Sequence, residues 1–507
     1  MESPIQKFYN GRTIFVTGSS GLMGKVLVEK LLFSCPNVEK IYMLIRPKRG
    51  KNASQRIEAI WQLPAYKRLR EKRPEALAKM IPVEGDVTLD RLGVEPNLLK
   101  KVINETSLVF HFAATLKLEA ELKDSVTMNL IGTRNALEVC KEMPNLISFI
   151  HLSTAFCYTD QKVLFEKVVD SPHNVHDVMR CMEWMENETV NKMTPSLIAP
   201  HPNTYTYTKR LAESLVKEHF PDMPVCIARP SIVTPSYVEP VEGWVDNLNG
   251  PVGIIVGCGK GVIRSMYCFP ELYAQVIPLD FATNGLVSIA WKNGTQPKPA
   301  DIPVFNVTNM NEKQMMNWGQ VLETGRDLGR KYPFEGAVWY PNGNIRNNKL
   351  IHQICVFLFH IIPAYFIDFM MLIFRQKRFM VRIQKRISDG LDLLQEFTTR
   401  QWIFDTTEFA KLWAEMTPMD KKMFSVMDES GDVTEYVKKC IIGAKQFCMK
   451  EKLENLPKAR MQHRFLYVLD VVTKLGLVYW FITMFLSWTG LDVTFNEYYS
   501  RAVQVVE

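Results

Sequence analysis

The stretch Thr17-Gly-Ser-Ser-Gly-Leu-Met-Gly-Lys25 stands between two segments with different hydrophobic patterns. Arg12-Thr-Ile-Phe-Val16, before it, is a short β-type run, and Val26-Leu-Val-Glu-Lys-Leu-Leu32, after it, has the pattern of a helix. Glycines at every third position let the backbone approach a pyrophosphate, while the helix N-terminus offers free N–H groups and the positive end of its dipole. The stretch predicts the phosphate-binding turn of a dinucleotide site, with a plain glycine-rich turn as the alternative. The cofactor contacts that we expect here are Thr17, Gly18, Ser19, Ser20, Gly21, Leu22, Met23 and Gly24.

Strand-like and helix-like runs alternate from this turn to about residue 233. The strand-like runs cover residues 13–16, 40–45, 79–83, 107–112, 147–153 and 225–228. Such alternation is typical of a parallel sheet with helices on both faces. We therefore predict a doubly wound α/β domain of the Rossmann type over residues 1–340, ending at a loop. A mainly helical region is expected over residues 341–465, and an apolar membrane-associated helix over residues 466–489.

Composition and charge indicate the number of domains, the cellular compartment and the kind of ligand. A chain of 507 residues is too long for one ordinary core. Its ten cysteines form no CxxC pair, and no His/Cys cluster has metal-ligand spacing, so we expect a reducing compartment and no metal site. A net charge of +7 is mild for this length and favours an anionic cofactor or a membrane surface over nucleic acid. The N-terminal residues lack the apolar run of a secretory signal, so the catalytic part is expected to face the cytosol.

The end of the second predicted strand indicates which dinucleotide is bound. An NAD enzyme usually offers an acidic residue there to hold the ribose 2′-hydroxyl. This chain instead reads Leu44-Ile-Arg-Pro-Lys-Arg49. Arg46, with Lys48 or Arg49, would pair with a 2′-phosphate, so the sequence predicts NADPH. A solvated basic loop without a ligand is the alternative.

Two further strand ends are expected to contact the cofactor. Gly85-Asp86-Val87 follows the third predicted strand, where Asp86 could accept a hydrogen bond from the adenine amino group. His111-Phe-Ala-Ala-Thr115 ends the fourth, where the small residues Ala113 and Ala114 would let the cofactor lie close. We therefore add Asp86, Val87, Ala113, Ala114 and Thr115 to the expected contacts.

The segment Asn203-Thr-Tyr-Thr-Tyr-Thr-Lys209 carries the predicted catalytic pair, Tyr205 and Lys209. On a helix the four-residue spacing places both side chains on one face. A phenol with an ordinary pKa near 10 is a poor proton donor or acceptor at neutral pH, and a neighbouring ammonium is expected to lower that pKa. The pair can then protonate a carbonyl oxygen as a hydride reaches the carbon. Ser153 and Thr154 follow a strand and supply a hydroxyl that can hold the same oxygen.

Two later stretches are apolar enough to interact with a membrane. Residues 351–374 carry Pro363 and Asp368, and residues 466–489 carry Asp470 and Lys474 in their first half. A spanning helix needs about 20 apolar residues, and a central Asp or Lys costs roughly 2.5–3.5 kcal/mol. For each stretch a spanning helix and a buried or interfacial amphipathic helix both stay open.

Together these motifs resemble the extended short-chain dehydrogenases/reductases and, more narrowly, the alcohol-forming fatty acyl-CoA reductases. The last part of the resemblance, Thr398-Thr-Arg-Gln-Trp-Ile-Phe404, looks like the male sterility domain of that family. The resemblance covers nearly the whole chain. Its more specific motifs are Val109-Phe-His-Phe-Ala-Ala-Thr115, Pro202-Asn-Thr-Tyr-Thr-Tyr-Thr-Lys209, Arg229-Pro-Ser-Ile-Val233, Glu239-Pro-Val-Glu-Gly-Trp-Val-Asp-Asn-Leu-Asn-Gly-Pro251, Gly257-Cys-Gly-Lys-Gly261 and Ile277-Pro-Leu-Asp280.

The resemblance implies a reaction and a role for each catalytic residue. A long-chain acyl-CoA is reduced through a thiohemiacetal and an aldehyde to a primary alcohol, with two NADPH consumed. Tyr205 is then the general acid, and Lys209 tunes it and contacts the ribose. Thr154 becomes the hydroxyl that holds the oxygen, with Ser153 as the second choice. The family is associated with peroxisomal and endoplasmic reticulum membranes, and a homodimer is left open.

A long acyl chain would need an apolar tunnel. We expect the tunnel walls in the insertion 160–202, with Val178-Met-Arg-Cys-Met-Glu-Trp-Met185, and in the C-terminal region; the alternative for the insertion is a surface helical excursion. Gly259-Lys-Gly-Val-Ile-Arg264 could hold the phosphates of CoA, or it could be a basic turn without a ligand. Two other functions stay open: an extended reductase acting on a sterol or a sugar nucleotide, and a non-catalytic dinucleotide sensor or membrane scaffold.

Overall fold

The computed structural model describes residues 3–311, 315–428 and 432–489. Its strands are β1 (Thr13–Thr17), β2 (Lys40–Ile45), β3 (Met80–Glu84), β4 (Thr106–His111), β5 (Ser148–Leu152), β6 (Val163–Leu164), β7 (Val225–Pro230), β8 (Ile232–Thr234), β9 (Ser265–Tyr267), β10 (Val276–Pro278), β11 (Val304–Val307), β12 (Asn344–Arg346) and β13 (Ile403–Phe404). Its α-helices are α1 (Pro4–Tyr9), α2 (Leu22–Ser34), α3 (Ala53–Trp61), α4 (Lys67–Lys72), α5 (Pro96–Glu105), α6 (Leu122–Val126), α7 (Gly132–Lys141), α8 (Val175–Trp184), α9 (Asn187–Ile198), α10 (Thr204–Lys217), α11 (Pro251–Gly259), α12 (Leu279–Thr295), α13 (Trp318–Lys331), α14 (Lys349–Val356), α15 (Ile362–Ile373), α16 (Met380–Thr398), α17 (Thr407–Glu415), α18 (Pro418–Met423), α19 (Val433–Gly443) and α20 (Leu456–Thr489).

A parallel sheet of seven strands forms the centre of the protein, in the order β11-β7-β5-β4-β1-β2-β3. Successive residues of β1 point to opposite faces, so Ile14 joins the core cluster of α2 and α12 while Phe15 joins that of α5, α7 and α10. Helices therefore cover both faces, which confirms the predicted doubly wound α/β fold. The strand order reverses between β1 and β4, and ligands bind such sheets at the carboxyl ends of the strands at this point.

All six predicted strands are present in the sheet, with ends that differ by at most two residues from the predicted ones. The seventh strand, β11, was not predicted. Its four residues, Val304-Phe-Asn-Val307, are preceded by a segment rich in Pro that reads as a loop. The strand exists because it pairs in parallel with the neighbouring β7 at the edge of the sheet.

The C-terminal segments pack closely on the α/β part of the chain. Short strand β13 pairs with β6, which lies in the insertion 160–202. Helix α19 crosses the loop at Gly243 so closely that a Cβ on Gly443 would lie 1.7 Å from the Gly243 carbonyl oxygen. The helical character expected after residue 341 is confirmed, whereas the domain boundaries at residues 340 and 465 stay predictions.

Two described helices are long and apolar enough to cross a bilayer by length and composition, Lys349–Ile373 and Leu453–Thr489. The first runs through α14, a π-helical turn at Phe357–Ile361, and α15. Its central carboxylate, Asp368, is satisfied within the protein: it accepts the first N–H groups of α16, at 3.0 Å from Phe379 and 2.8 Å from Met380. The charge that argued against membrane contact therefore caps the following helix.

Helix α20 has two different halves. Near its middle, Asp470 is buried and ties the helix to the body of the protein. From Leu475 onward, large apolar side chains are exposed, Trp480 and Trp488 among them. The groups that donate to Asp470 are Trp339 Nε1 at 2.6 Å, Asn342 Nδ2 at 3.0 Å, Arg264 Nη2 at 3.3 Å and Lys474 Nζ at 2.6 Å. The half that follows Lys474 is thus apolar and unpartnered within the described residues.

Candidate active site

The glycine-rich turn follows β1 and leads directly into α2. Gly18 has φ +69°, and a Cβ there would lie 2.6 Å from the carbonyl carbon of Phe112, so only glycine fits beside the end of β4. Gly24 is equally confined, since a Cβ would lie 2.4 Å from the Gly18 carbonyl oxygen. Gly21 is exposed, and its added Cβ would meet only the Gly18 oxygen, at 3.1 Å. Two of the glycines therefore shape the turn, and the third keeps its outer surface open.

The N-terminus of α2 is free to bind an anion. Its N-cap, Gly21, provides no side-chain hydrogen bond. The first amides of a helix have no partner within the helix, so those of Leu22, Met23 and Gly24 are available. The Leu22 and Met23 side chains pack against the core, so they would meet a cofactor through their backbone. Ser20 is partly exposed in the turn itself.

Neighbouring side chains fix the shape of the turn. The Ser19 hydroxyl is buried and donates to the Leu44 carbonyl at 3.2 Å. The Thr17 hydroxyl bonds His111 Nδ1 at 2.9 Å and accepts from the Ala113 amide at 3.2 Å. These contacts hold β1, β2 and β4 together at their carboxyl ends. Ser19 and the Thr17 side chain thus act in positioning the turn, away from its open surface.

This arrangement fits a nicotinamide dinucleotide, which supplies a hydride when bound. Open backbone amides at the end of a helix, beside a turn that excludes side chains, match the needs of a pyrophosphate. The adjacent Val87 is buried, and its carbonyl accepts from Asn135 at 2.9 Å. The Thr115 amide donates to Asn129 at 2.8 Å, while Ala114 is partly exposed at the same edge. Contact of these residues with the cofactor stays a prediction.

The basic segment after β2 lies at the surface near Asp86. Arg46 Nη1 lies 3.4 Å from Asp86 Oδ2, and both groups are partly exposed. The other oxygen of Asp86 accepts from Thr88, so Asp86 is held in place. Arg49 is exposed in a turn with φ +53°. The end of β2 thus carries exposed basic side chains and no carboxylate, and their contact with a 2′-phosphate stays a prediction.

Helix α10 carries the predicted catalytic pair. Asn203 begins the helix by accepting the Thr206 amide at 2.9 Å. Tyr205 and Lys209 follow on the same face, one turn apart. The Thr154 hydroxyl lies beside the Tyr205 phenol, so the strand-end hydroxyl and the predicted acid are neighbours. Tyr207, on another face, instead bonds His173 at 3.0 Å and takes no part in this cluster.

The protonation of Tyr205 differs from the sequence-based expectation. We expected Lys209 to lower the pKa of the phenol. The side chain is partly open to solvent, yet enough protein surrounds the phenol for desolvation to dominate, and this raises the pKa of Tyr205 above its ordinary value. The neighbouring Thr154 hydroxyl opposes this shift, and the Cys157 thiol adds to it. In this state Tyr205 carries its proton at neutral pH and is ready to donate it.

Lys209 is buried directly beneath the end of β5. Its Nζ donates to the Leu152 carbonyl at 2.7 Å. Burial lowers the pKa of Lys209 to about 8, and the Glu213 carboxylate opposes this effect. Glu213 lies one further turn along α10, so Tyr205, Lys209 and Glu213 line one face. The ammonium is therefore close to losing its proton near neutral pH.

The two candidate hydroxyls, those of Ser153 and Thr154, have different neighbours in the structure. Whereas Thr154 lies beside Tyr205, the Ser153 hydroxyl is buried beside Glu213 and forms no hydrogen bond among the described residues. The pKa of the Glu213 carboxyl is lowered. Arg229 of β7 is the main cause of that lowering and forms an ion pair with Glu213. Sequence reasoning missed Glu213 and Arg229. The signal that could have found Glu213 is its spacing of four residues after Lys209.

The structure also contains an apolar cavity with a volume of about 220 Å³. The walls come from one face each of α11, α13 and α19, together with β8, β10 and the β9/β12 pair. The C-terminal region therefore lines the cavity through α19, as expected.

The insertion 160–202 does not line the cavity, which corrects the expectation from the sequence. The apolar face of its helix α8, with Val178, Met179 and Met182, is buried in the core beside α6 and α10.

The basic turn 259–264, which could have held the phosphates of CoA, uses its charged side chains within the protein. Lys260 bonds the Glu335 carbonyl at 2.9 Å and lies 3.4 Å from Glu451, and Arg264 pairs with Asp470. Both cations already have protein partners.

Comparisons with known proteins agree with this geometry. An NAD-binding family model described as male sterility protein matches residues 16–286, and a second model with the same description matches residues 359–451. Fatty acyl-CoA reductase 1 of Gallus gallus is 35% identical over 456 residues, which cover 90% of this chain and 88% of that protein. The Homo sapiens protein of the same name is 33% identical over the same shares.

A solved structure supports the fold alone. The reductase domain of a nonribosomal peptide synthetase from Mycobacterium tuberculosis has a TM-score of 0.59 and 16% identity, and the match covers 88% of this chain and 97% of that one. The relatives and the family models together go further, since they extend over nearly all of the chain. The chain belongs to the fatty acyl-CoA reductase family and is an NAD(P)-dependent oxidoreductase of lipid metabolism.

Proposed function

We propose that this protein reduces long-chain fatty acyl-CoA to a primary alcohol with NADPH, in two hydride transfers through a bound aldehyde. One acyl-CoA, two NADPH and two protons give one alcohol, free CoA and two NADP⁺. The observation that carries the proposal is the contact between Thr154 and Tyr205 at the carboxyl end of β5, with Lys209 one turn away. Family membership favours acyl-CoA over the sterol and sugar-nucleotide alternatives.

The chain's own residues would act on the carbonyl oxygen. Thr154 and Tyr205 present two hydroxyls that can hydrogen-bond one oxygen atom. Tyr205 keeps its proton at neutral pH, so it can protonate that oxygen when negative charge develops on it. Lys209 adds a positive charge next to the site and would also meet the cofactor ribose. Release of CoA from the thiohemiacetal gives the aldehyde, whose oxygen would bind the same two hydroxyls.

NADPH is proposed over NADH on the basis of charge. The end of β2 offers Arg46 where a carboxylate would repel a phosphate, and exposed Arg49 lies three residues on. Arg46 faces Asp86 at 3.4 Å, and both are open to solvent, so the contact is weak. A 2′-phosphate carries more charge than one carboxylate and can replace it as a partner.

An intracellular membrane is the proposed partner. The substrate and product both dissolve in bilayers, and Lys349–Ile373 and the exposed half of α20 are suited to lie in one. A catalytic part facing the cytosol, at a peroxisomal or endoplasmic reticulum membrane, is the location that the sequence resemblance suggests. A homodimer stays a prediction.

The test is turnover by membranes from cells that express the chain, with NADPH or NADH and acyl-CoAs of several lengths. Alcohol, aldehyde and oxidised cofactor are quantified, beside Tyr205→Phe as the inactive control and Tyr207→Phe as the matched control. The proposal predicts alcohol at about two NADPH each for the wild type and Tyr207→Phe. If aldehyde is the end product, the enzyme carries out only one hydride transfer. If no acyl-CoA is reduced, the proposed function is contradicted.

A further inference from the structure

Helix α13 lines the cavity with two glycines as well as with side chains, Trp318 and Arg326 among them. Gly325 and Gly329 lie one turn apart, and both belong to the cavity wall. A Cβ added at either position would have no atom within 4 Å. The space beside these residues is therefore open volume of the cavity, and leucine or a larger residue at either position would fill it.

The other walls are mostly apolar. Ile254 and Ile255 come from α11, and Val437 and Ile441 come from α19. Such a lining favours an apolar ligand without charge, because each buried methylene is transferred out of water. The cavity is thus suited to a hydrocarbon chain.

A buried donor in the wall also points to a ligand. Trp318, the first residue of α13, is 8% exposed and lines the cavity, and its indole N–H has no hydrogen-bond partner among the described residues. Buried donors in proteins nearly always have a partner. A ligand or water that enters the cavity would satisfy this one.

Strand β8 connects the segment next to the catalytic cluster with the wall of the cavity. The amide of Ala155, next to Thr154, donates to the Pro230 carbonyl at 3.0 Å. Strand β8 starts two residues later and ends at Thr234, which lines the cavity. Four residues of strand span about 13 Å at most, so the wall begins within that distance of the Thr154 segment. A long acyl chain attached to a carbonyl at Thr154 and Tyr205 is long enough to span that distance.

We propose that this cavity binds the acyl chain of the substrate, and that Gly325 and Gly329 determine how long a chain it accepts. The inference rests on the proposed acyl-CoA reduction and assigns its apolar subsite. The occupant is a long unbranched acyl chain, because the cavity is apolar and its wall begins near the segment that would hold the carbonyl. Side chains at the two glycines would take up the space that the longer substrates need.

The test uses the full-length protein with Gly325→Leu and Gly329→Leu, and with Gly390→Leu on α16 as the matched control. Gly390 is also a helical glycine with no atom near an added Cβ, but it lies outside the cavity. Leucine favours helix over glycine, so the substitutions are compatible with α13. Measurements are kcat/KM across acyl-CoA chain lengths and equilibrium binding of a fluorescent long-chain fatty acid.

The expected result is a tenfold or greater fall in kcat/KM for the longest substrates, relative to the shortest that react, with weaker binding of the fluorescent fatty acid. The Gly390→Leu variant should keep the wild-type profile. An unchanged profile, or an equal loss at every chain length with unchanged fatty acid binding, would overturn the assignment. If a leucine variant fails to fold, alanine at the same position must give a smaller shift in the same direction.

Failure of the cavity assignment and failure of the proposed function give different results. A wild type that binds the fluorescent fatty acid, loses that binding in the leucine variants and reduces no acyl-CoA would contradict only the reaction. A wild type that reduces acyl-CoA with a chain-length profile that neither glycine affects would contradict only the assignment of the cavity.

Discussion

The Glu213 carboxylate and the Arg229 guanidinium form an ion pair of 2.6 Å in which neither side chain is exposed to solvent. Arg229 Nε adds a second bond to Glu213 at 2.8 Å, so the contact is bidentate. The pair joins α10 to β7 and lies one helical turn from Lys209. It therefore fixes α10 on the sheet and places a negative charge near the buried ammonium.

Glu213→Gln should change the pH dependence of the reaction. Burial lowers the pKa of Lys209 to about 8, and Glu213 opposes this shift. If the ammonium form is the active one, wild-type activity falls as the pH rises through about 8. Without the carboxylate the pKa of Lys209 drops further, so the fall should begin at lower pH. The measurement is kcat/KM for acyl-CoA between pH 6 and pH 9.

Tyr158→Phe is the matched control for that variant. It removes a 2.7 Å hydrogen bond to Glu213 and leaves the charge in place, so its pH profile should resemble that of the wild type. The Gln variant leaves Arg229 buried without its partner, which costs about 3–5 kcal/mol of stability. Thermal unfolding should therefore be followed for both variants. Identical pH profiles in a folded Glu213→Gln protein would limit the ion pair to a structural role.

Thr154→Ala and Ser153→Ala should have different effects. Thr154 contacts Tyr205, so its removal should lower kcat about 10²–10⁴-fold, the range for loss of a positioned proton-transfer group. Ser153 faces Glu213, so its removal should act mainly through stability and the pH profile. Thr154→Ser, which keeps a hydroxyl, should restore much of the activity. An intact rate in Thr154→Ala, or the larger loss in Ser153→Ala, would reverse the assignment.

Arg46→Ala should weaken the binding of NADPH without affecting that of NADH. A hydrogen bond to a charged group contributes about 1.5–3 kcal/mol, which is roughly a 10- to 150-fold change in KM for NADPH. Arg91→Ala is the control, since Arg91 forms an exposed ion pair with Glu142 elsewhere on the surface. Equal effects on both cofactors would show that Arg46 does not contact the 2′-phosphate. Direct binding of each reduced cofactor, measured by its fluorescence, completes the comparison.

Truncation after Lys474 should release protein from membranes. It removes the exposed apolar half of α20 and leaves Asp470 with its partners Arg264, Trp339 and Asn342. The cavity wall that those partners support should therefore remain intact. We expect a larger share of the truncated protein in the supernatant after sedimentation of membranes, with the thermal unfolding of the rest unchanged. The same share in the pellet would place membrane binding in Lys349–Ile373.

The features that could be predicted from the sequence are those that depend on short local patterns. Gly18, Gly24 and the Tyr205/Lys209 spacing each depend on a few neighbouring residues, and the structure places them where they were expected. The burial of the phenol depends on distant residues, so the direction of the pKa shift of Tyr205 was wrong. An apolar tunnel with walls in the C-terminal region was expected, and α19 lines the cavity, but the contributions of α11 and α13 were not predicted because these helices are far apart in the chain. Gly325 and Gly329 had no local signal beyond their spacing.

The most direct test of the central claim uses NADPH that carries deuterium at the hydride position. Purified full-length protein in lipid vesicles is given this cofactor and a long-chain acyl-CoA, and the products are identified by mass spectrometry. Two hydride transfers at one site predict an alcohol with two deuterium atoms on its first carbon, and none from Tyr205→Phe. An aldehyde with a single deuterium as the final product would contradict the account.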